Sequence, residues 1–360
     1  MNKSDRFTKL TTDRHNMFYW QTDRPFSEEE TKKIFLDRHQ NFDTKKAIEA
    51  IEYGMKKKVA KLHNIIAFGS VNVVLKATLE NKIDVVFRIH PPGVKNGYFW
   101  AESVAAEQAK KAGVPSYKTY VIDDSQRRFN FDYMIIESLP GDNLHKEWPL
   151  EKEREQKLME ETGYYLAKIH GVKTENFGFF DNAIAKEQKR LDGIHKQWKD
   201  HIFAALNPNL DYLTKNSVIA SADRKKIETI LLKNEKLLHF DDPRLIQNDL
   251  ADWNELVKDD HITGIIDWDE AYSGDPIADF SAWTVFFPYE RMEALKKGYL
   301  KFSPLPDGFE EKLHLYRIRY IVSKATLRAK KTLHYKVERY QKMLDFALKI
   351  LGDEFSWYGM

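Results

Sequence analysis

The apolar pattern of the chain changes character near residue 138, and that change constrains its fold more than any other feature. Before it, Ile65–Phe68, Val71–Leu79, Asp84–Ile89, Tyr117–Ile122 and Phe131–Ile136 are short β-branched and aromatic runs. Gly69-Ser70 and Glu80-Asn81-Lys82 separate the first three as turns, which predicts an antiparallel meander. Phe99–Lys111, closed by Gly113 and Pro115, reads as one helix among these strands. After Leu139-Pro140-Gly141 the spacing becomes helical over Glu151–Ile169, Lys186–Leu206, Ala222–Leu238, Ile277–Phe287, Tyr289–Leu300, Gly308–Leu333 and Tyr335–Leu351, with Asn207-Pro208-Asn209 as a loop. The opening stretch predicts peripheral helices over Thr31–Arg38 and Lys45–Lys58. The expectation is an α+β chain in three parts: a helical extension over residues 1–60, a sheet-rich unit over 61–138 and a larger, mainly helical unit over 139–360.

Composition narrows the chemistry. The 360 residues include no cysteine, which excludes a disulfide framework, a thiolate nucleophile and cysteine-based zinc or iron–sulfur sites. A formal charge of +2 gives no electrostatic argument for a nucleic-acid or membrane partner. No apolar run reaches membrane-spanning length, and the polar start Met1-Asn2-Lys3-Ser4-Asp5 lacks the apolar core of a signal peptide. The expected location is therefore cytoplasmic. Nothing in the sequence fixes the oligomeric state.

One segment interrupts the helices and carries the densest polar spacing. In Leu245-Ile246-Gln247-Asn248-Asp249-Leu250-Ala251-Asp252-Trp253-Asn254, followed by Glu255–Val257 and Ile262–Asp267, an Asp precedes an Asn by five residues and a second Asp by eighteen. Two short strands between them would bring carboxylate, amide and carboxylate to one end. That set suits phosphoryl transfer, in which one carboxylate receives the acceptor's proton while Asn and Asp oxygens hold Mg²⁺.

This segment resembles the catalytic loop and metal-binding Asp of the aminoglycoside phosphotransferase family, the small-molecule branch of the protein-kinase-like fold. Gly274-Asp275-Pro276-Ile277-Ala278-Asp279-Phe280, Leu166-Ala167-Lys168-Ile169-His170, Met134–Gly141 and Phe87-Arg88-Ile89 resemble further family segments in the same order. The resemblance implies a bilobal fold, with an antiparallel nucleotide-binding lobe over 61–138 and a helical catalytic and substrate lobe over 139–360. It implies Asp249 as the base or hydroxyl-orienting group, with Asn254 and Asp267 as Mg²⁺ ligands. It places Arg88 on the nucleotide phosphates, paired with Glu102 or, alternatively, Glu107. Backbone atoms of Glu137–Leu139 would hold the adenine edge. Gly69-Ser70-Val71-Asn72 would cover the phosphates, with Ser70 and Asn72 as cofactor contacts, or form an ordinary hairpin turn. Asp279 is expected to anchor the catalytic loop, and His170 to be structural.

The implied function is ATP-dependent transfer of the γ-phosphate to a hydroxyl of a small molecule, an antibiotic of aminoglycoside or related type. The alternatives are a metabolic kinase for choline, a sugar or an amino alcohol, and a nucleotide-binding pseudokinase. The pseudokinase is raised by Gln247-Asn248, which stands where the family carries His-Gly. Asn enters left-handed backbone conformations readily, so the loop geometry is expected to survive. Charge bears on the acceptor: residues 181–240 hold eight acids against eleven bases and residues 290–360 nine against fifteen, so a polycation would depend on a few carboxylates such as Asp181, Asp192 or Asp200. Of the aromatics Trp283, Phe286, Phe287, Tyr289, Tyr316 and Tyr320, most are expected in the core and a minority free to stack on a ring-shaped substrate.

Overall fold

The structure is a computed structural model describing residues 42–65, 72–90, 97–204, 206–335 and 338–360. The expected helix Thr31–Arg38, the residues Gly69–Val71 and the strand positions beyond Ile65 lie outside this set.

The N-terminal lobe is a five-stranded antiparallel sheet of β1 (Val59–Ile65), β2 (Val73–Leu79), β3 (Asp84–Ile89), β4 (Thr119–Asp123) and β5 (Tyr133–Glu137), in the order β1-β2-β3-β5-β4. Its two faces differ because side chains alternate along each strand. Val73, Leu75, Ala77, Leu79, Val85, Phe87 and Ile89 are buried on one face beneath helix α1 (Thr44–Met55), which contributes Ala47, Ala50 and Ile51. Val74, Arg88 and Met134 are aligned across the sheet, so Arg88 leaves the opposite face toward helix α2 (Phe99–Lys111). Helix α1 stops three residues before the expected Lys58 because Lys56 takes a left-handed conformation at φ 53°, and β1 begins at Val59.

The C-terminal lobe is mainly helical. Helix α3 (Lys152–His170) packs against α9 (Met292–Tyr299), while α10 (Phe309–Tyr335) lies between α8 (Ile277–Trp283) and α11 (Glu338–Trp357). The α3–α9 contact is closed by two glycines: a Cβ on Gly163 would lie 1.9 Å from the Leu295 carbonyl oxygen, and one on Gly298 would lie 1.7 Å from that of Glu160. Only glycine admits backbones this close.

The single helix expected over Lys186–Leu206 does not form. Instead α4 (Asn182–Gln188) ends at left-handed Lys189, β8 (Gly193–His195) pairs with β7 (Phe177–Phe180), and α5 (Trp198–Phe203) follows. The helical spacing there was overridden by a close strand pairing, in which Gly193 sits directly over the Phe177 backbone. Asn207-Pro208-Asn209 falls in the first turn of α6 (Leu206–Lys215), not in a loop, where proline's missing N–H costs nothing. Helix α7 (Ser221–Lys233) completes the layer.

Two small sheets position the polar segment. One is β6 (Asp142–Asn143), β10 (Glu255–Lys258) and β11 (His261–Ile265), and the other joins β7 and β8 to β9 (Arg244–Ile246) and β12 (Tyr272–Gly274). Among the described residues no helix is long and apolar enough to cross a membrane.

Candidate active site

The loop between β9 and β10 carries Gln247 to Asn254, and its shape is held by one buried carboxylate. Asp279, at the start of α8, accepts from the Gln247 amide at 2.9 Å and the Asn248 amide at 2.6 Å, and His170 Nε2 donates to it at 3.0 Å. Asp279 thus satisfies two adjacent buried N–H groups that no strand ladder could reach. The second ring nitrogen of His170 lies 3.1 Å from the Tyr299 hydroxyl, so this histidine is tied on both sides inside the core. Asp275 is equally occupied, accepting from Lys312 at 2.9 Å and Tyr316 at 2.8 Å.

Asn248 and Gln247 both have visible roles. Asn248 has φ 68°, the left-handed region that Gly enters freely and Asn tolerates, and its Nδ2 donates to Glu270 at 3.1 Å. Gln247 uses both ends of its amide. Its Oε1 accepts from the Asp249 amide at 2.7 Å, while Nε2 reaches the carbonyls of Asp267 at 3.2 Å and Ile266 at 3.4 Å. One side chain therefore fixes Asp249 relative to Asp267, eighteen residues away.

Asn254 completes the group. Its Nδ2 donates to the Asp249 carbonyl and to Asp249 Oδ2, both at 2.8 Å, and these bonds leave its Oδ1 uninvolved. Asp267 itself has φ 62° and pairs Oδ1 with Arg88 Nη2 at 2.9 Å, leaving Oδ2 outside the ion pair on a side chain 40% exposed. Arg88 also pairs with Glu102, which accepts a further bond from Tyr117 at 2.6 Å. Glu107 is not involved; it pairs with Lys111 on the helix surface at 3.0 Å. The planar guanidinium, with its several N–H groups, can bridge the two carboxylates in a way a lysine ammonium does less well.

Desolvation pushes the Asp249 carboxyl up to about 7, against the pull of Lys324 and with the help of the Glu270 and Asp267 carboxylates. Asp269, beside them, is pushed well above the usual carboxylate range, first by burial and then by Asp267 and Glu102, and accepts from the Tyr98 hydroxyl at 3.0 Å.

Not every residue expected at the site points into it. Asn72 is buried and accepts from His90 Nδ1 at 2.8 Å, and Ser70 lies outside the described residues. The Glu137 carboxylate turns away to Lys110 at 2.6 Å and the Lys118 amide at 3.0 Å, and the Glu137 and Ser138 amides bond the Lys118 and Asp84 carbonyls. Leu139 packs over Gly264 beside Leu256. Asp181 caps α4, and Asp192 accepts from Asn176 and Arg190, so both are spent on local structure. Three contributors escaped the sequence reading. Trp253 Nε1 lies 3.4 Å from Asp249 Oδ2, a role that its place one residue before Asn254 could have suggested. Glu270 and Lys324, 3.8 Å apart, reach the loop from elements with no motif to mark them.

The donors for a metal are all oxygens, which suits Mg²⁺. Among the described residues no group of three or more His, Asp or Glu gathers as a metal site. A two-residue set of Asn254 and Asp267 fits a cation whose other ligands come from a nucleotide and water.

The sequence profile of the phosphotransferase enzyme family matches residues 65–310. No curated protein matches the chain in sequence. Solved structures match its fold. The aminoglycoside phosphotransferase APH(4)-Ia, as a thermostable mutant with AMP-PNP and hygromycin B, shares 16% identity over 84% of this chain and 97% of its own, with a TM-score of 0.63. The putative fructosamine-3-kinase of Thermobifida fusca shares 18% over 84% and 98%, TM-score 0.59. The macrolide 2′-phosphotransferase of Brachybacterium faecium shares 18% over 84% and 97%, TM-score 0.53. With its bilobal protein-kinase-like fold and a family match over more than half its length, this chain belongs to the phosphotransferase enzyme family.

Proposed function

We propose that the chain transfers the γ-phosphate of ATP to a hydroxyl of a small molecule, with Asp249 as the base or hydroxyl-orienting group and Asn254 and Asp267 as Mg²⁺ ligands. The observation that carries this reading is the single bonded unit formed by Gln247, Asp249, Asn254 and Asp267. Asp249 receives the acceptor's proton as the new O–P bond forms and the bond from γ-phosphorus to the ADP oxygen breaks. Arg88 supplies fixed positive charge toward the phosphates, held in place by buried Glu102. Bound Mg²⁺ would neutralise phosphate charge, as it does in phosphoryl transfer generally. Backbone atoms of Glu137–Leu139 are proposed to meet the adenine edge, and Asn72 to act through His90 and not by direct contact.

The finer reading is an antibiotic acceptor, supported by the aminoglycoside and macrolide phosphotransferases that share the fold. A metabolic acceptor is the second reading, favoured by the putative fructosamine-3-kinase neighbour. A screen of antibiotics and metabolites by ADP release tests both. Asp249→Asn should abolish transfer with nucleotide binding retained, and Asp267→Ala should remove the Mg²⁺-dependent part of nucleotide affinity seen by calorimetry. Normal turnover by Asp249→Asn refutes the assignment, and so does wild-type nucleotide affinity that is equal with and without Mg²⁺. ADP release from no acceptor would favour the pseudokinase.

A further inference from the structure

A cavity of about 470 Å³ opens beside the catalytic loop, lined by Trp253, Val285, Phe286, Arg328, Met343 and Phe346. That volume lies within the range of small-molecule sites. Trp253 joins the cavity to the chemistry: its ring forms part of the wall, while its Nε1 lies 3.4 Å from Asp249 Oδ2. Phe286 meets the indole edge-on, with centroids 5.4 Å apart at 90°. The rest of the lining is apolar save for Arg328 and the Glu338–Lys342 pair, and two cations bear on a ligand there.

The first is Arg328, 4% exposed, whose Nη1 donates to the Met343 carbonyl at 2.9 Å and Nη2 to the Val285 carbonyl at 3.2 Å. Among the described residues no carboxylate pairs with it. Glu338, which also lines the cavity, pairs with Lys342 at 2.8 Å. A buried cation with only carbonyl partners is poorly compensated, and burial lowers the Arg328 guanidinium to about 10. The second is Lys324, outside the lining, whose ammonium lies 4.8 Å over the Phe286 ring and 3.8 Å from Glu270. Its charge is felt both beside the Phe286 wall and at Asp249, so an ammonium bound here would meet a like charge.

We infer that this cavity holds the phosphate acceptor, and that the acceptor is a molecule with a flat apolar body and a carboxylate, the carboxylate pairing with Arg328 and the hydroxyl facing Asp249. This rests on the phosphotransferase reading above and deepens it. The aromatic walls take the body, and the carboxylate supplies a counter-ion that Arg328 does not find among the described residues. A polycationic acceptor is disfavoured at this place by Arg328 and Lys324 together.

Three probes of one shape separate charge from size: 4-(hydroxymethyl)benzoate, 4-(hydroxymethyl)benzamide and 4-(hydroxymethyl)benzylamine. Affinity for the full chain is read by ligand-observed NMR, with ADP release measured in parallel under Mg²⁺ and ATP. The benzoate should bind about tenfold more tightly than the amide, as a charge-assisted bond to a guanidinium allows, and the amine most weakly. Arg328→Met should erase the difference between benzoate and amide. Phe286→Ala should weaken all three. Because Arg328 braces two carbonyls and its variant can fail to fold, exposed Lys342→Glu provides a second test, leaving a pair of acids at the rim that should weaken the benzoate more than the amide. Equal or tighter binding of the amine, a benzoate preference that survives both charge variants, or no binding of any probe at millimolar concentration overturns the inference. Charge-ordered binding without ADP release upholds the cavity assignment and counts against transfer. ADP release with another acceptor class, indifferent to Phe286→Ala and Arg328→Met, upholds transfer and overturns the cavity assignment.

Discussion

Asn248 offers the sharpest test of how this loop keeps its shape with a non-glycine residue in the left-handed region. At φ 68° a Cβ crowds the backbone, and the cost depends on the side chain. Asn248→Gly removes the crowding and loses only the bond from Nδ2 to Glu270, worth about 0.5–1.5 kcal/mol. Asn248→Val loses the same bond and adds left-handed strain of about 1–3 kcal/mol for a β-branched residue. The difference between the two variants isolates the strain. If Val relieves it by shifting the loop, the amides of residues 247 and 248 leave Asp279, and Asp249 moves with them. A displacement of about 1 Å can cost on the order of a hundredfold in rate. Chemical denaturation should rank the proteins wild type, Gly, Val in falling stability, and kcat/KM on the acceptor found by the screen should fall steeply only for Val. The pair Gln247→His with Asn248→Gly should stay within about tenfold of wild type, since positioning is what the loop supplies. A Val variant that matches wild type in both measurements refutes the reasoning.

Three further outcomes follow from the same geometry. Asp279→Ala strands two buried N–H groups and should cost about 2–6 kcal/mol by denaturation, whereas Asp279→Asn, which keeps one acceptor oxygen, should cost less. Arg88→Met leaves Glu102 buried without a cation and should destabilise the chain by about 3–5 kcal/mol, while Arg88→Lys keeps the charge and should show most of its loss in nucleotide affinity by calorimetry. Gly298→Ala forces α3 and α9 apart and should cost about 3 kcal/mol, the upper end of overpacking penalties, with Mg²⁺-nucleotide affinity unchanged in the folded protein.

Much of this molecule was written locally. The strand Asp84–Ile89 and the helix Phe99–Lys111 have the bounds expected from their apolar period and flanking turns, because their alternation and caps lie within a dozen residues. Arg88 leaves the face opposite Phe87 and Ile89, as alternation along a pleated strand dictates. The left-handed backbone of Asn248 followed from its residue type, Asn being among the residues that enter that region most readily. What the sequence could not encode locally was decided by contacts between distant elements. The stretch from Lys186 to Leu206 has helical spacing, yet β8 forms there because β7 offers a partner and Gly193 admits the approach. Glu102 over Glu107 as the partner of Arg88 depended on which face of α2 turns toward the sheet. Gln247 became a brace only when β9 and β11 brought the Asp267 carbonyl beside it. Lys324 and Arg328 sit on α10, more than fifty residues beyond Asp267, and no spacing rule links them to the loop. Their effect depends on charge and burial, which belong to the packed molecule: the sequence supplied the cations, and the fold determined that one has only carbonyl partners among the described residues and that the other bears on Asp249.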